Sequence, residues 1–338
     1  MNDASKAVAK GTLVTGDIVI ADAAEDETAG KATEIVNQSD EQIVAGLHTI
    51  ACKPKEGLFE PGFLGYYLNS PAYHNQIFKL LRITKVLSIN HKDIIETTIS
   101  VPDKEEQQKI ADFLSDVDNQ IENYQQSLDN LESQKRELLR QVFSQELRFT
   151  KDDGGDYPKW IEKELGSFIR IKSGSSPTKL LSNTGTVPYF KVEQLNASIK
   201  YLTNSIYKIK KDDKYLVKKG SIVFPKRGES IKLNKIRLFS EDSFMDTNLM
   251  AITLLENNAE FVFYSMVANN FSKIADYTNI PQINNKHVIP YKIKIPCPEE
   301  QQKIADFFSD IDNRIELERQ RLQTMLELKK GLLQQMFC

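Results

Sequence analysis

The side chains best suited to binding chemistry crowd into one stretch, Phe224-Pro225-Lys226-Arg227-Gly228-Glu229-Ser230-Ile231-Lys232-Leu233-Asn234-Lys235-Ile236-Arg237. An apolar strand pattern precedes it, so a turn at Pro225–Gly228 would present Lys226 and Arg227 from a rigid base. Lys232, Asn234, Lys235 and Arg237 would lie nearby. Arginine can fork onto guanine edges and lysine can neutralise phosphate, which makes nucleic acid the natural ligand. A charged hairpin facing water is the alternative reading. Two further segments carry small turn residues and polar side chains. The first runs through Lys172, Ser175, Thr178 and Lys179, and the second through Lys191, Gln194 and Asn196. Such residues allow close backbone approach to a phosphate and hydrogen bonds at base edges. Tyr189 and Phe190 read as core aromatics rather than as stacking platforms.

Charge along the chain agrees with a polyanion partner. The whole sequence of 338 residues has a net charge of -3, but residues 170–237 hold 16 Lys or Arg against 4 Asp or Glu. Residues 1–98 hold 9 against 13. A solvated surface mixes both signs, so one strongly basic region points to nucleic acid. With 40% apolar and 27% charged residues the chain is neither disordered nor fibrous. No apolar run approaches the roughly 18 residues of a membrane span, and Met1-Asn2-Asp3 does not open a signal peptide, so a cytoplasmic protein with no membrane role is expected. Cys52, Cys297 and Cys338 lack pairing or metal-ligand spacing, so neither a disulfide nor a metal site is expected. Enzyme signatures are also missing: no phosphate-binding Gly-x-x-x-x-Gly-Lys-[Ser/Thr] loop, no Gly-x-Gly-x-x-Gly, no Asn-Pro-Pro-[Tyr/Phe] methyltransferase motif and no His-Glu-x-x-His. His48, His74, His91 and His287 stand alone and read as surface or helix-end residues.

A duplication organises these segments. Glu105-Glu106-Gln107-Gln108-Lys109-Ile110-Ala111-Asp112-Phe113 recurs letter for letter 194 residues later as Glu299-Glu300-Gln301-Gln302-Lys303-Ile304-Ala305-Asp306-Phe307. From Ile99–Phe143 against Ile293–Phe337, 24 of 45 positions are identical without a gap. Upstream, Ile89-Asn90 matches Ile283-Asn284, and Gly16-Asp17-Ile18-Val19-Ile20 echoes Gly220-Ser221-Ile222-Val223-Phe224. Each copy ends in a helix with an apolar seam at alternating spacings of four and three. The first seam is Val117, Ile121, Tyr124, Leu128, Leu131, Leu138 and Val142, interrupted by Lys135. The second is Ile311, Ile315, Leu322, Met325, Leu332 and Met336, with Glu318 and Lys329 interrupting. Asp103 as N-cap and Pro298 at the first helical position mark the starts. About 40 residues make each helix about 60 Å long. The two seams can pair antiparallel within the chain as a spacer, or each can pair with a second chain.

Between Lys151 and Pro296 short strands and turns dominate, with Lys151–Asp156 as a polar linker. Helices are expected at about Pro61–Leu81 and Ala259–Ala275. Where the second copy has its Lys-Arg loop, the first has Asp22-Ala23-Ala24-Glu25-Asp26-Glu27, so the two modules read DNA differently or these acids face inward.

The doubled Glu-Glu-Gln-Gln-Lys-Ile-Ala-Asp-Phe helix start, placed shortly after Ile-x-[Val/Ile]-Pro, resembles the specificity subunit of type I restriction-modification systems. Trp160–Gly166, Ile171–Pro177 and Ile283-Asn284 extend the resemblance over nearly the whole chain. It implies an α+β fold with two globular target-recognition domains separated by a long antiparallel two-helix coiled coil. Residues 1–98 would form a partial first recognition domain and 150–292 the second, with helical regions at 99–149 and 293–338. It also implies a bipartite double-stranded DNA site and a subunit with no catalytic residues. Two methyltransferase subunits and restriction subunits would be partners, and S-adenosylmethionine, ATP and Mg would bind there, none on this chain. A coiled-coil assembly protein that holds methyltransferase subunits without reading DNA is the alternative. One departure stands out. The second copy has 63 residues from Tyr157 to Lys219 before its Gly220 strand and the first only 15 before Gly16, so about 48 appear to be missing. The first domain is therefore expected to leave strands near Gly16–Ile20 without neighbours and to favour self-association or a covering partner.

Overall fold

The computed structural model describes residues 11–26, 28–37, 42–83, 86–176 and 185–337. Strands and helices follow one another as β1 (Ile18–Ala21), β2 (Ala23–Ala24), β3 (Ala32–Glu34), β4 (Thr49–Cys52), α1 (Phe63–Tyr67), α2 (Pro71–Leu80), β5 (Arg82–Ile83), β6 (Leu87–Ser88), α3 (His91–Ile95) and α4 (Lys104–Ser144). Then come β7 (Ile161–Glu164), β8 (Ile169–Ser173), β9 (Val187–Phe190), β10 (Tyr201–Leu202), β11 (Tyr207–Ile209), β12 (Ile222–Pro225), β13 (Arg237–Phe239), β14 (Phe244–Met245), β15 (Leu249–Leu254), α5 (Ala259–Ala268), α6 (Asn285–Val288), β16 (Lys292–Ile295) and α7 (Pro298–Met336). The architecture is the expected α+β. Two compact units result, one from Met1–Ser127 with Glu318–Cys338 and the other from Leu128–Leu317.

In the first unit β1 alternates buried and half-buried residues, as a strand covered on one face must, and lies between β3 and β4. This corrects the expectation for Gly16–Ile20: β1 has both neighbours, and among the described residues the outer strands of this sheet are β3 and β4. Ile18 and Ile20 pack with Phe63, Tyr67, Tyr73, Ile77 and Leu114. Phe337, at the end of α7, closes this core with its ring 5.3 Å from that of Tyr67. The long helix expected at Pro61–Leu81 is two helices. Ser70 accepts a hydrogen bond from the Tyr73 N–H and Pro71 opens α2, so Ser-Pro starts a new helix rather than continuing the old one.

In the second unit a five-stranded sheet has the order β10-β13-β12-β15-β8, beside the smaller sheets β11-β9-β14 and β16-β7. Its centre is β12, where all four residues are buried. Helix α5 packs Phe261 and Tyr264 against Phe143 of α4 and Phe308 of α7. It ends at Ala268, short of the expected Ala275, because Asn270 takes a left-handed φ of 52° and a 3-10 turn follows. The Lys151–Asp156 linker is a closed turn. Thr150 bridges Asp156, and the Lys303 ammonium donates to the Thr150 carbonyl at 2.9 Å and to Asp152 Oδ1 at 2.7 Å.

The two long helices run antiparallel within each unit, as two ion pairs related by the sequence repeat demonstrate. In the second unit Lys135 pairs with Asp312, and the Tyr264 hydroxyl donates to Asp312 Oδ2 at 2.6 Å. In the first unit Lys329 pairs with Asp118 at 2.5 Å, and the Tyr66 hydroxyl donates to Asp118 Oδ2 at 3.0 Å. Each lysine also lies over its tyrosine ring, at 5.6 and 5.5 Å. Burial first, and the adjacent carboxylate second, hold the Tyr66 and Tyr264 hydroxyls far above the ordinary tyrosine range; for Tyr264 the charge of Asp312 outweighs its hydrogen bond. The lysines that interrupt the seam are therefore its polar register marks. Of the expected seam, Val117, Leu128, Val142 and Ile315 are buried. Ile121, Tyr124, Leu131, Leu138, Ile311, Leu322, Met325, Leu332 and Met336 are half-buried.

Candidate nucleic-acid interface

Three segments far apart in sequence meet at one end of the five-stranded sheet. Strand register places Phe224, Met250 and Ser173 side by side across β12, β15 and β8, so Lys226-Arg227 and Gly174-Ser175 leave the sheet at the same end. Val223 pairs with Arg237, which brings the approach to β13, with Lys235, to that end too. At the hub is the turn Asp246-Thr247-Asn248. The Lys226 N–H donates to the Asn248 carbonyl at 2.8 Å, the Asp246 N–H to the Phe190 carbonyl at 3.0 Å and the Ser175 N–H to the Met245 carbonyl at 3.1 Å. Asp246 Oδ1 accepts the Asn248 N–H at 2.7 Å, an Asx turn that fixes the hub. Burial pushes the Asp246 carboxyl above its ordinary range, and burial likewise pushes the neighbouring Tyr189 hydroxyl up to about 12. Thr247 and Asn248 are exposed at this end. The sequence reading did not single them out, although Asp-Thr-Asn is an Asx-turn signal.

The basic residues divide into free and committed ones. Lys226, Arg227 and Lys235 make no side-chain hydrogen bond or ion pair among the described residues, and Arg227 is exposed. Gly228 at φ 93° lets the loop turn back so that its N–H reaches the Pro281 carbonyl at 2.9 Å. Lys232 pairs with Glu229 at 2.7 Å on the surface, a contact weak enough to exchange for phosphate. Asn234 is structural: left-handed at φ 47°, it accepts from the Ser272 N–H and donates to the Val267 carbonyl. The Arg237 guanidinium donates to the Ser198 and Ile236 carbonyls, both at 2.6 Å. Lys172 donates to the Leu216 carbonyl at 2.8 Å, and burial lowers its pKa. Lys191 lies 3.9 Å over the Tyr207 ring. Gln194 accepts the Lys191 N–H and donates to Ser205 Oγ. Asn196 is exposed and Ser175 half-buried, whereas Thr178 and Lys179 lie outside the described residues.

Gly174 is required here for a reason other than phosphate. A Cβ on it would stand 1.7 Å from the Asp246 carbonyl oxygen, so the β8 exit and the hub turn touch backbone to backbone. Gly174→Ala is expected to destabilise the second unit by at least about 2 kcal/mol, because neither backbone can yield without breaking the sheet. Denaturant unfolding of the purified variant measures this, and a midpoint matching the parent would contradict the close approach.

The first unit repeats the backbone of this loop with opposite charge. The Asp22 carbonyl accepts the Ile89 N–H at 2.8 Å, as the Lys226 carbonyl accepts that of Ile283 at 2.9 Å. Glu25 and Asp26 are exposed, and Asp26 accepts from Thr28, so these two acids do not face inward, whereas Asp22 is half-buried. Glu27 lies outside the described residues.

The model of the type I restriction modification DNA specificity domain matches residues 9–133 and 157–327. The chain belongs to that family. As a specificity subunit it is a non-catalytic component of a restriction-modification system. It is 26% identical over 341 residues to a relative in Methanocaldococcus jannaschii named for the type I restriction enzyme MjaX specificity subunit, covering 96% of this chain and 78% of that one. The type I restriction enzyme MjaVIII specificity subunit of the same organism is 26% identical over 274 residues, covering 74% of this chain but 64% of that relative. The crystal structure of a type I restriction-modification system S subunit from M. genitalium shares the fold, with a TM-score of 0.62 at 18% identity over 97% of this chain and 85% of that one. Among the described residues of this specificity subunit no three His, Cys, Asp or Glu side chains group to hold a metal, and no helix is long and apolar enough to cross a membrane.

Proposed function

We propose that this specificity subunit reads one half of a bipartite DNA site with the β12 end of its second unit. Lys226, Arg227 and Lys235 contact phosphate or guanine there, and Ser175, Thr247 and Asn248 offer hydrogen bonds to base edges. The observation that carries this reading is the convergence of three sequence-distant loops on one rigid turn, with three cations uncommitted among the described residues. Residues 150–292 act as the second recognition domain, 1–98 as a partial first one, and 99–149 with 293–338 as the helical regions that fix the gap between half-sites. Those helices dock two methyltransferase subunits, to which restriction subunits add. S-adenosylmethionine, ATP and Mg bind on these partners, and the assembly works where the chromosome is, in the cytoplasm.

Lys226→Ala combined with Arg227→Ala tests the reading. Each lost base contact is worth about 1–3 kcal/mol, so specific affinity should fall by at least tenfold, and the dependence on salt should flatten. Assembly with methyltransferase subunits should not change. Unaltered affinity at moderate salt would show that the loop is a solvated hairpin.

A further inference from the structure

Beside the Lys226-Arg227 loop stands a second loop whose side chains have so far been given no part in binding. It runs from Asp276 to Gln282 and closes on itself: the Asp276 N–H donates to the Gln282 carbonyl at 2.9 Å, and the Gln282 N–H to the Asp276 carbonyl at 3.0 Å. Asp276 Oδ1 accepts the Thr278 N–H at 2.9 Å and the Thr278 hydroxyl at 2.6 Å, an Asx turn that fixes the tip. The Tyr277 hydroxyl donates to the Ser272 carbonyl at 3.0 Å. Two further bonds tie this loop to the basic one, from the Gly228 N–H to the Pro281 carbonyl and from the Ile283 N–H to the Lys226 carbonyl, both at 2.9 Å. The two loops thus form one ledge whose backbone is fixed throughout.

Register decides what the ledge displays. Arg227 and Gln282 are antiparallel neighbours. Along the second loop Ile280 and Gln282 are exposed, whereas Pro281 and Ile283 are buried. This period of two puts Ile280 and Gln282 on one face, and the pairing adds the exposed Arg227 to it. The Gln282 side chain, like that of Arg227, makes no hydrogen bond among the described residues. A single exposed isoleucine is ordinary on a protein surface. Here, however, Ile280 is 55% exposed on a fixed backbone, in line with a free amide and a free guanidinium. That combination matches the major-groove edge of a base pair, where glutamine forks onto adenine N6 and N7 and an apolar side chain meets the thymine methyl. Residues two apart in an extended chain are about 7 Å apart, and the major groove is about 12 Å wide, so both side chains can reach one pair.

We infer that Gln282 and Ile280 read one A·T pair in the half-site bound by the second unit, Gln282 through the adenine edge and Ile280 through the thymine methyl. The inference rests on the proposed reading of DNA by the β12 end and adds a base identity that the basic loop does not supply. Lys226 and Lys235 neutralise phosphate and Arg227 takes phosphate or guanine, so an A·T pair needs a different donor set. Because the ledge is fixed before DNA arrives, these two side chains lose little freedom on binding.

The test uses the full chain assembled with its methyltransferase subunit, and a duplex carrying the methylation motif mapped for this chain. Deoxyuridine, which lacks only the methyl group, replaces each thymine in turn, and 7-deazaadenine, which lacks the N7 acceptor, replaces each adenine. At one A·T pair of the half-site that Lys226→Ala with Arg227→Ala degrades, deoxyuridine should weaken binding about threefold and 7-deazaadenine about tenfold. Ile280→Ala should lose the first effect and keep the second, Gln282→Ala should do the reverse, and Ile280→Val should keep both. Both positions are exposed, so the fold tolerates these changes. If the Lys226→Ala, Arg227→Ala variant binds more weakly but no thymine methyl matters, or the two effects fall on different pairs, or methyl sensitivity survives Ile280→Ala, the inference is overturned and the reading beneath it stands. Binding indifferent to that double substitution would overturn the reading itself, and the inference with it.

Discussion

Asp312→Ala should destabilise the second unit by about 3–5 kcal/mol, far more than Asp118→Ala destabilises the first. The substitution leaves the Lys135 ammonium without its anion where Lys135 is 15% and Asp312 5% exposed, and an uncompensated buried charge carries that cost. The Tyr264 hydroxyl, donor to the same carboxylate, also loses its acceptor. In the first unit Lys329 is 27% and Asp118 39% exposed, so solvent screens the orphaned lysine and about 1 kcal/mol is expected. Replacing both partners, Lys135→Met with Asp312→Leu, should recover most of the loss because no charge is then stranded. Denaturant unfolding followed by hydrogen exchange in each unit reads the asymmetry. Equal losses in the two variants would mean that repeat symmetry, not burial, governs these pairs.

Inserting one heptad into both long helices should lengthen the gap between the two half-sites by about 10 Å, or ~3 base pairs. The insertion must match across the pair. Asp118 faces Lys329 and Lys135 faces Asp312, so the positions midway between these contacts lie after Gln126 in α4 and after Gln320 in α7. Seven residues keep the seam in phase, whereas a four-residue insertion would rotate it and is expected to cost stability instead. An unchanged gap in a folded heptad variant would sink the spacer role.

The duplication, the helix starts and the seam were legible in the sequence because they follow local rules. The Glu106 N–H does donate to Asp103 Oδ1 at 2.9 Å, and Pro298 does open α7. The Lys-Asp-Tyr clusters were not legible. Tyr66 and Tyr264 lie outside the 194-residue register, and only antiparallel pairing brings Asp118 to Lys329. At the candidate interface, composition identified the basic loop but not which side chains are free. Asn234, Gln194 and Arg237 look like base readers in sequence, yet backbone groups or neighbouring side chains engage them after folding. The Asp246–Asn248 hub is not legible in the sequence because its importance comes from β9, β12 and β8 meeting there, which no local pattern encodes.

The most direct test of DNA selection by this chain is a map of methylated bases in cells expressing it with its methyltransferase subunit. The expected result is a single two-part motif with a fixed gap, in which Lys226→Ala with Arg227→Ala degrades one half and leaves the other intact. Methylation without a motif, or both half-sites retained unchanged in that variant, would contradict the account.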